Sequence, residues 1–270
     1  MDNGNQNNKN YWDKNPMTYK PFDDEFSERV LDNKDDFEFL NSFYLKENFY
    51  LDSYFNGLKE SNFLQGLNVL DIGCGWGSST FHLSKYATKV TSIDISPVAI
   101  KGAKKNIELN KIQNVEITEM DAEKLEFSDD TFHYLFSWGV IHHSSKPNNA
   151  YKEIFRVLKP GAKGTIMVYN KSSLRYWLMG IYHLYFRGMI FKGYNWSNAT
   201  KKFTDGFYHK HYIPNKLKKE FLSIGFSKVD IVISHYLGKG KILPFVKTDS
   251  YLGKVLSSRL GYFLTIEFTK

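Results

Sequence analysis

Cysteine is nearly absent from this sequence, since Cys74 is the only one among 270 residues. One thiol cannot form a disulfide within the chain, which indicates a reducing compartment. The first residues show neither a basic start nor an early apolar run of the kind found in signal peptides. We therefore expect a cytoplasmic protein, and its length fits one sizeable core with additions.

Long hydrophobic runs are also absent. The strongly apolar and aromatic stretch between Arg175 and Arg187 holds 11 residues, far fewer than the roughly 20 needed to cross a bilayer. It could form a lid over a substrate pocket, lie at a membrane surface, or simply pack on the core. The lid is favoured because the stretch follows a predicted fifth strand, at the edge where open α/β sheets bind ligands.

Acidic residues are scarce toward the C-terminus. Residues 159–270 contain 19 basic and 5 acidic residues, whereas residues 1–60 contain 7 basic and 13 acidic residues. This asymmetry fits either an anionic partner near the C-terminal third or a solvated, lysine-rich surface without a partner. No dense basic cluster with interleaved aromatic residues occurs there, so a nucleic acid is the less favoured partner.

Three glycines are concentrated in residues 69–77, which read Val-Leu-Asp-Ile-Gly-Cys-Gly-Trp-Gly. An apolar strand ends there at an acidic residue, and glycines follow at alternate positions. Glycine accepts positive φ and has no Cβ, so a ligand can approach the backbone of such a turn closely. The spacing differs from the dinucleotide fingerprint G-x-G-x-x-G, because the third glycine comes one residue early.

Acidic residues also close the next two predicted strands. Residues 89–95 are predicted to form a strand that ends at Asp94, whose carboxylate can accept two hydrogen bonds from a ribose diol. Residues 115–120 are predicted to form the third strand, which Asp121 and Ala122 follow. Asp121 alone could equally cap a helix.

The rest of the chain continues the alternation of strands and helices. Further strands are predicted at 132–140, 165–169, 227–234 and 261–268, and helices at 98–110, 146–158 and 216–224. One long helix is predicted over residues 37–55. The Asn-rich first ten residues are predicted to be a disordered tail.

These motifs together resemble the class I S-adenosylmethionine-dependent methyltransferases, in particular the small-molecule, bacterial "methyltransferase type 11"-like group. The resemblance is strongest between residues 68 and 161, which include the phrases Gly-Val-Ile-His-His and Arg-Val-Leu-Lys-Pro-Gly. Residues 11–16 and Tyr19 resemble an entry segment whose cap lies over the cofactor. The resemblance implies an α/β, Rossmann-like fold with a seven-stranded, mostly parallel sheet, an antiparallel closing strand, a helical N-terminal cap and an insertion after strand 5.

The predicted organisation has four parts. They are an N-terminal tail and helical cap (1–60), an S-adenosylmethionine-binding core (61–170), an insertion or lid (171–215), and the C-terminal part of the core sheet (216–270).

The resemblance implies S-adenosyl-L-methionine as the cofactor and S-adenosyl-L-homocysteine as its product. In the family, the residue matching Asp71 holds the methionine ammonium group, the one matching Asp94 binds the ribose, and the pair matching Asp121 and Ala122 contacts the adenine amino group. The residues expected to touch the cofactor are Asp71, Gly73, Cys74, Gly75, Trp76, Asp94, Ile95, Asp121, Ala122, Ser137, Trp138 and Tyr19.

His142 and His143 follow the predicted fourth strand, which brings at least one of them near the transferred methyl group. Histidine can act as a general base near neutral pH, and we favour His142 in that role, although each ring could equally pack or bond to the backbone. The expected acceptor contacts are Tyr169, Arg175, Tyr208, His209, His211 and Tyr212. No metal site is predicted, because His209 and His211 have no clear third ligand nearby.

The predicted function is therefore methyl transfer to a small molecule that is anionic or partly apolar. The chain lacks the Asn-Pro-Pro-Tyr or Asp-Pro-Pro-Tyr segment that methyltransferases of DNA-base amines generally carry after the fourth strand. Two alternatives remain: a membrane-surface enzyme that methylates a lipid or quinone, and a non-catalytic protein that binds the cofactor or its product. The sequence does not indicate an oligomeric state.

Overall fold

The computed structural model describes residues 3–15, 31–200, 204–234 and 250–270. Its strands are β1 Asn68–Ile72, β2 Lys89–Asp94, β3 Val115–Glu119, β4 Phe132–Trp138, β5 Leu158–Asn170, β6 His211–Tyr212, β7 Lys228–Ser234 and β8 Phe263–Thr269. Its α-helices are α1 Asn3–Lys14, α2 Lys34–Glu47, α3 Phe49–Ser61, α4 Ser78–Ser84, α5 Pro97–Leu109, α6 Pro147–Val157, α7 Leu174–Ile181, α8 Trp196–Thr200, α9 Pro214–Ile224 and α10 Tyr251–Leu260.

The strands form one sheet in the order β3-β2-β1-β4-β5-β8-β7, and the two-residue β6 pairs with β5. Strands β1 to β6 pair in parallel, whereas β8 runs antiparallel to both β5 and β7. The predicted Rossmann-like fold is thus confirmed, with β6 as an eighth, short strand. The chain order reverses between β1 and β4, so their carboxyl ends border the crevice where such sheets bind ligands.

Helices cover both faces of the sheet because its central strands are apolar on both sides. Val69 belongs to one core cluster and its neighbour Leu70 to the other, as the alternation of side chains along a strand requires. Leu51 of α3 is fully buried in the first cluster, and Tyr151 of α6 and Phe221 of α9 are fully buried in the second. This core fixes the carboxyl ends of the strands as a rigid edge.

The predicted single helix over residues 37–55 is wrong, because α2 ends before Asn48 and α3 begins after it. Asn48 leaves the helical region, with φ −115° and ψ 59°. Its side-chain amide donates to the carbonyl of Tyr44 (2.9 Å), and its Oδ1 accepts from the Trp138 indole (3.1 Å). The asparagine thus ends α2 and satisfies a buried indole nitrogen of the core.

The prediction of a disordered first ten residues is also wrong, since α1 begins at Asn3. Polar contacts with the core hold this helix. The Asn5 amide donates to Asp121 (2.6 Å), the Ser96 hydroxyl donates to Asp13 (2.8 Å), and Lys9 pairs with Glu119. Composition alone misses this helix because its stability comes from specific polar partners rather than from an apolar face.

Most predicted strand boundaries lie within two residues of those observed, but β5 starts well before residue 165. The ladder with β8 runs back to Lys163, opposite Thr269, and includes Gly164, opposite Phe268. A Cβ at Gly164 would lie 2.4 Å from the Phe268 ring, so glycine allows the two strands to pack closely there. The segment between β7 and α10 lies outside the described residues.

Two buried amides join the cap to the core. Asn41 of α2 and Asn106 of α5 exchange hydrogen bonds of 3.1 and 3.0 Å. Asn106 also donates to the carbonyl of Trp76 in the glycine turn (2.9 Å). The pair therefore links the cap, the turn and α5.

Replacing Asn106 by alanine should lower the free energy of unfolding by roughly 1–3 kcal/mol, because the Asn41 amide would be buried without its partner. Urea denaturation measures this loss. Asn56→Ala is the control, since Asn56 is exposed on α3 and its amide reaches only Asp52. Equal losses in both variants would contradict a stabilising role for the buried pair.

Candidate functional site

The glycine turn between β1 and α4 has a backbone that only glycine adopts readily. Gly73, Gly75 and Gly77 have φ values of 77°, 54° and 84°. A Cβ at Gly73 would lie 2.2 Å from the Val140 side chain. The amide of Gly73 donates to the carbonyl of Ile93 (2.7 Å), which fixes the turn against the end of β2.

Asp71 carries a buried carboxyl group at the end of β1. The hydroxyls of Ser79 and Thr80 both donate to its Oδ2, at 2.7 and 2.8 Å. Burial raises the pKa of Asp71 to about 6 in spite of these two donors. No described residue donates to Oδ1. A buried, under-compensated carboxyl group of this kind fits the ammonium group of the cofactor's methionine part.

Asp94 lies at the end of β2, next to the glycine turn. Its Oδ2 accepts from the Gly75 amide and its Oδ1 from the Ser96 amide, each at 2.9 Å. Burial raises the pKa of Asp94, and these backbone donors oppose the shift. Each oxygen keeps a second lone pair, so the oriented carboxylate suits a ribose diol.

Asp121 has two partners beyond the end of β3. Its Oδ1 accepts from the Glu123 amide (2.9 Å), so Asp121 does cap the following turn, as one of the two sequence interpretations expected. Its Oδ2 accepts from the Asn5 amide of α1 (2.6 Å). An adenine amino group would form the same kind of hydrogen bond, so α1 and the adenine compete for this oxygen. Ala122 packs at the edge of the adjacent core.

Cys74, Ile95 and Ser137 flank the turn with modest side-chain roles. The Cys74 thiol is buried, and burial raises its pKa well above the usual value, so it packs as a neutral group. Ile95 is half-buried. The Ser137 hydroxyl donates to the carbonyl of Ile72 (3.1 Å). These contacts leave the backbone as the part available to a cofactor.

The two tryptophans predicted to touch the cofactor pack their indoles against other aromatic rings. Trp76 packs on α5 at Gly102 and lies 6.2 Å, between ring centroids, from Phe37. Trp138 stacks on Phe136, with centroids 6.1 Å apart, inside the core. Both rings thus fill packing positions, and contact of the two residues with the cofactor stays a prediction. Tyr19 lies outside the described residues.

His142 is completely buried just beyond β4. Its ring centroid lies 3.9 Å from that of Tyr169 and 4.0 Å from that of His143. Neither ring nitrogen has a well-aligned hydrogen bond in the described part of the chain, although the backbone of Met167 lies near enough to interact with the ring. Burial lowers the pKa of His142 well below its usual value, and nearby imidazoles add to the effect. His142 is therefore a neutral imidazole with an available lone pair.

His143 turns both ring nitrogens toward protein groups. Its Nδ1 donates to the carbonyl of Tyr208 (2.8 Å), and its Nε2 lies 3.9 Å from the carboxylate of Asp205. Burial lowers the pKa of His143, and Asp205 opposes this shift. A Cβ at Gly206 would lie 2.2 Å from Nδ1, so the loop needs glycine there. With Nδ1 bonded to the backbone, His143 is a candidate positioning residue, and its predicted role as a base stays a prediction.

Four rings form what we call the aromatic cluster: His142, Tyr169, His211 and Tyr262. Tyr169 stacks on Tyr262 with centroids 4.6 Å apart, and its hydroxyl donates to Asp205 (2.9 Å). His211 Nε2 lies 3.2 Å from the Tyr262 hydroxyl, and burial lowers the pKa of His211 to about 3. The cluster is thus uncharged and joins β5, β6 and the start of β8.

Arg175 lies at the border of the aromatic cluster. Its guanidinium carbon is 5.2 Å from the Tyr262 ring centroid. Its Nε is buried without a hydrogen-bond partner, and no carboxylate of the described residues lies within ion-pair distance. A partly buried cation without an acid fits an anionic group of a ligand.

The other predicted acceptor contacts fall in different places. Tyr208 offers its backbone to His143, and His209 lies 3.4 Å from the Thr200 hydroxyl through Nε2. Tyr212 points into the core toward Tyr151, because neighbouring residues of a strand face opposite sides. This placement corrects the expectation for Tyr212. Among the described residues, no three His, Cys, Asp or Glu side chains are arranged to hold a metal ion.

The sequence reasoning missed three site residues. Asp205 was visible as part of an Asp-Gly pair, but its contacts with Tyr169 and His143 arise only on folding. Tyr262 precedes the last strand and has no local signal. Asn5 sits in a polar segment that composition assigned to a tail.

The affinity for S-adenosyl-L-homocysteine, which keeps the ammonium group, should rise as the pH increases through about 6 and then level off. The cationic ligand favours the ionised form of Asp71, whose pKa burial raises to about 6. Asp71→Asn should weaken binding by roughly 1.5–3 kcal/mol and remove most of this pH dependence. Calorimetric titration between pH 5 and 8 measures both effects, with exposed Glu60→Gln as the control. A pH profile unchanged in Asp71→Asn would refute this role.

Comparison with known proteins covers the region of these residues. A family model described as a methyltransferase domain matches residues 64–187. A ubiquinone/menaquinone biosynthesis C-methyltransferase of Zymomonas mobilis is 34% identical over 109 residues, 39% of this chain and 44% of the relative. The 2-methyl-6-phytyl-1,4-hydroquinone methyltransferase 1 of Oryza sativa is 35% identical over 115 residues, 42% of this chain and 33% of the relative.

A similarity to solved structures extends over more of the chain. A crystal structure of an S-adenosylmethionine-dependent methyltransferase from Mesorhizobium loti aligns with a TM-score of 0.54 at 15% identity, over 77% of this chain and 92% of that one. At this identity the likeness shows the fold. The chain spans less than half the length of the two curated relatives named above. The match of residues 64–187 to a methyltransferase domain includes the glycine turn, all three strand-end acids and His142, and the fold is that of solved S-adenosylmethionine-dependent methyltransferases.

Proposed function

We propose that this protein transfers a methyl group from S-adenosylmethionine to a small phenolic molecule that also carries an anionic group. The observation that carries the proposal is the environment of His142: a neutral, fully buried imidazole without a well-aligned hydrogen bond, set among aromatic rings two residues beyond Val140, which packs at the glycine turn. The acceptor's ring would stack in the aromatic cluster, and its hydroxyl would donate to His142.

The cofactor would be held by three acids, Asp71 at its ammonium group, Asp94 at its ribose and Asp121 at its adenine. When bound, it supplies an electrophilic methyl group on a sulfonium. The protein then has to align the acceptor and exclude water. Helix α1 serves that purpose, because its Trp12 lies 5.0 Å from the His143 ring and its Asn5 binds Asp121.

The low pKa of His142 favours a phenolic acceptor over an aliphatic alcohol. A base this weak removes a proton efficiently only from a group that is itself acidic. His143, anchored to the Tyr208 carbonyl and near Asp205, packs against His142 and fixes the ring. Two relatives named above are, by name, methyltransferases of quinone biosynthesis and of a hydroquinone, which supports the phenolic class.

Arg175 supports an anionic substituent on the acceptor. It contacts Tyr262, whereas His142 contacts Tyr169, so the cation and the base stand two rings apart along the cluster. The cation would therefore bind a carboxylate or phosphate of the acceptor rather than the reacting oxygen. A lone thiol supports the expected cytoplasmic location.

A non-catalytic protein that binds the cofactor or its product is the second candidate. The contact that favours this candidate is the hydrogen bond from the Asn5 amide to Asp121, which covers the edge of the sheet. Incubation with methyl-labelled S-adenosylmethionine and a panel of acceptors separates the two. Label in a hydroxybenzoate or hydroquinone supports the proposal, label confined to an aliphatic amine or alcohol contradicts the phenolic class, and cofactor binding without product supports the second candidate.

His142→Ala should lower kcat by about 10²- to 10⁴-fold, the usual range for a lost general base, with little change in the Kd for S-adenosylhomocysteine. Because the pKa of His142 lies well below 6.5, kcat of the unchanged protein should stay level from about pH 8 down to about pH 6.5. His133→Ala is the control, because His133 lies near the opposite end of β4, where its Nδ1 accepts from the Asn68 amide. An unaltered rate in His142→Ala would exclude the base.

Arg175→Ala should raise KM for an acceptor with a carboxylate by roughly tenfold or more, the effect of losing one charged hydrogen bond. KM for the uncharged analogue of the same acceptor should change little. Arg175→Lys should recover part of the loss, because it keeps the charge but not the paired donors. Equal changes for the charged and uncharged acceptors would show that Arg175 acts only in packing.

A further inference from the structure

The insertion after β5 exposes large apolar side chains along one side. Helix α7 continues into a π-helical turn, Tyr182–Phe186, and then into a 3₁₀ turn, Met189–Lys192. We call its outer side the insertion face, formed by Trp177, Leu178, Ile181, Tyr182, Tyr185, Phe186, Ile190 and Phe191. Phe186 is 80% exposed and Phe191 is 91% exposed. Contiguous exposed apolar groups of this size mark an interaction surface.

The inner side of the same segment fixes which residues face outward. Tyr176, Gly180 and Leu184 recur every four residues and are all buried. A Cβ at Gly180 would lie 2.4 Å from the Trp196 ring, and the Tyr176 ring lies 4.7 Å from that of His211. The insertion face is therefore held in place by packing on its reverse side.

Charge around the insertion face has one sign. Residues 171–200, which the structure describes, contain two lysines and two arginines and no aspartate or glutamate. Arg187 and Lys192 lie within the exposed stretch itself. A surface of this kind attracts an anionic partner and repels a second copy of itself.

We propose that the insertion face docks on an anionic lipid bilayer. Aromatic side chains with basic residues at their border suit the depth of the lipid headgroups. No helix of the described residues is long and apolar enough to cross a membrane, so the segment lies in the interface plane. A partner protein of ordinary surface chemistry would leave the basic residues without acids.

The location of the face gives it a use in catalysis, and this part rests on the function proposed above. Tyr176 and Arg175, on the inner side of α7, contact His211 and Tyr262 of the aromatic cluster. The same helix thus has one side on the acceptor site and the other on the lipid. An amphiphilic acceptor could pass from the bilayer to His142 beside this helix.

Cosedimentation with vesicles tests the docking without cofactor or acceptor, so its outcome is independent of the proposed reaction. The full chain should bind vesicles of phosphatidylcholine and phosphatidylglycerol in equal parts, and bind pure phosphatidylcholine vesicles at least about tenfold more weakly. Phe186→Ser/Phe191→Ser should lower partition into the mixed vesicles by about tenfold or more. Arg187→Glu/Lys192→Glu should lower binding and its dependence on salt.

Tyr251→Ser/Leu252→Ser is the matched control, because both residues are exposed on α10, outside the insertion face. This variant should bind as the unchanged protein does. Absence of binding to the mixed vesicles, or equal loss in the control, would overturn the proposal. A dimer in size-exclusion chromatography that Phe186→Ser/Phe191→Ser dissociates would overturn it in favour of a second copy. Methyl transfer to a soluble phenol without vesicle binding would leave the proposed function standing.

Discussion

The buried carboxyl group of Asp71 is the constraint on which the site depends. Burial raises the pKa of Asp71 to about 6, so the ionised carboxylate lowers the stability of the fold at neutral pH. The fold limits that cost with the Ser79 and Thr80 hydroxyls of α4. A cationic ligand at this strand end would offset the remainder, as the proposed role of Asp71 in holding the cofactor requires.

Polar contacts join two covering segments to the edge of the sheet beside the site. Helix α1 is tied to Asp121 and Ser96 at the edge of the sheet, and the loop after the insertion is tied to His142 through the Lys210 amide (2.8 Å). Individual bonds of this type each contribute about 1 kcal/mol, far less than the packing of the core contributes. Opening of these segments would let the proposed enzyme admit two ligands and then exclude water.

The core strands and the acids at their ends could be predicted from the sequence, because the patterns that mark them are local. Asp71 and Asp94 each end an apolar strand, and the glycine turn stands between one strand and its helix. Contacts made by distant segments have no such signal. Asp205 reaches Tyr169 across 36 positions of the chain. The break at Asn48 is set by a core indole 90 residues away, so helical periodicity alone could not locate it.

The central claim is that the acids at the ends of β1 and β2, with the glycine turn between them, form a site for a sulfonium nucleoside. Isothermal titration of the purified chain with S-adenosylmethionine, and separately with NAD, tests it most directly. The account predicts one binding event with S-adenosylmethionine and none with NAD at the same concentrations. Binding of NAD together with no heat from S-adenosylmethionine would contradict it.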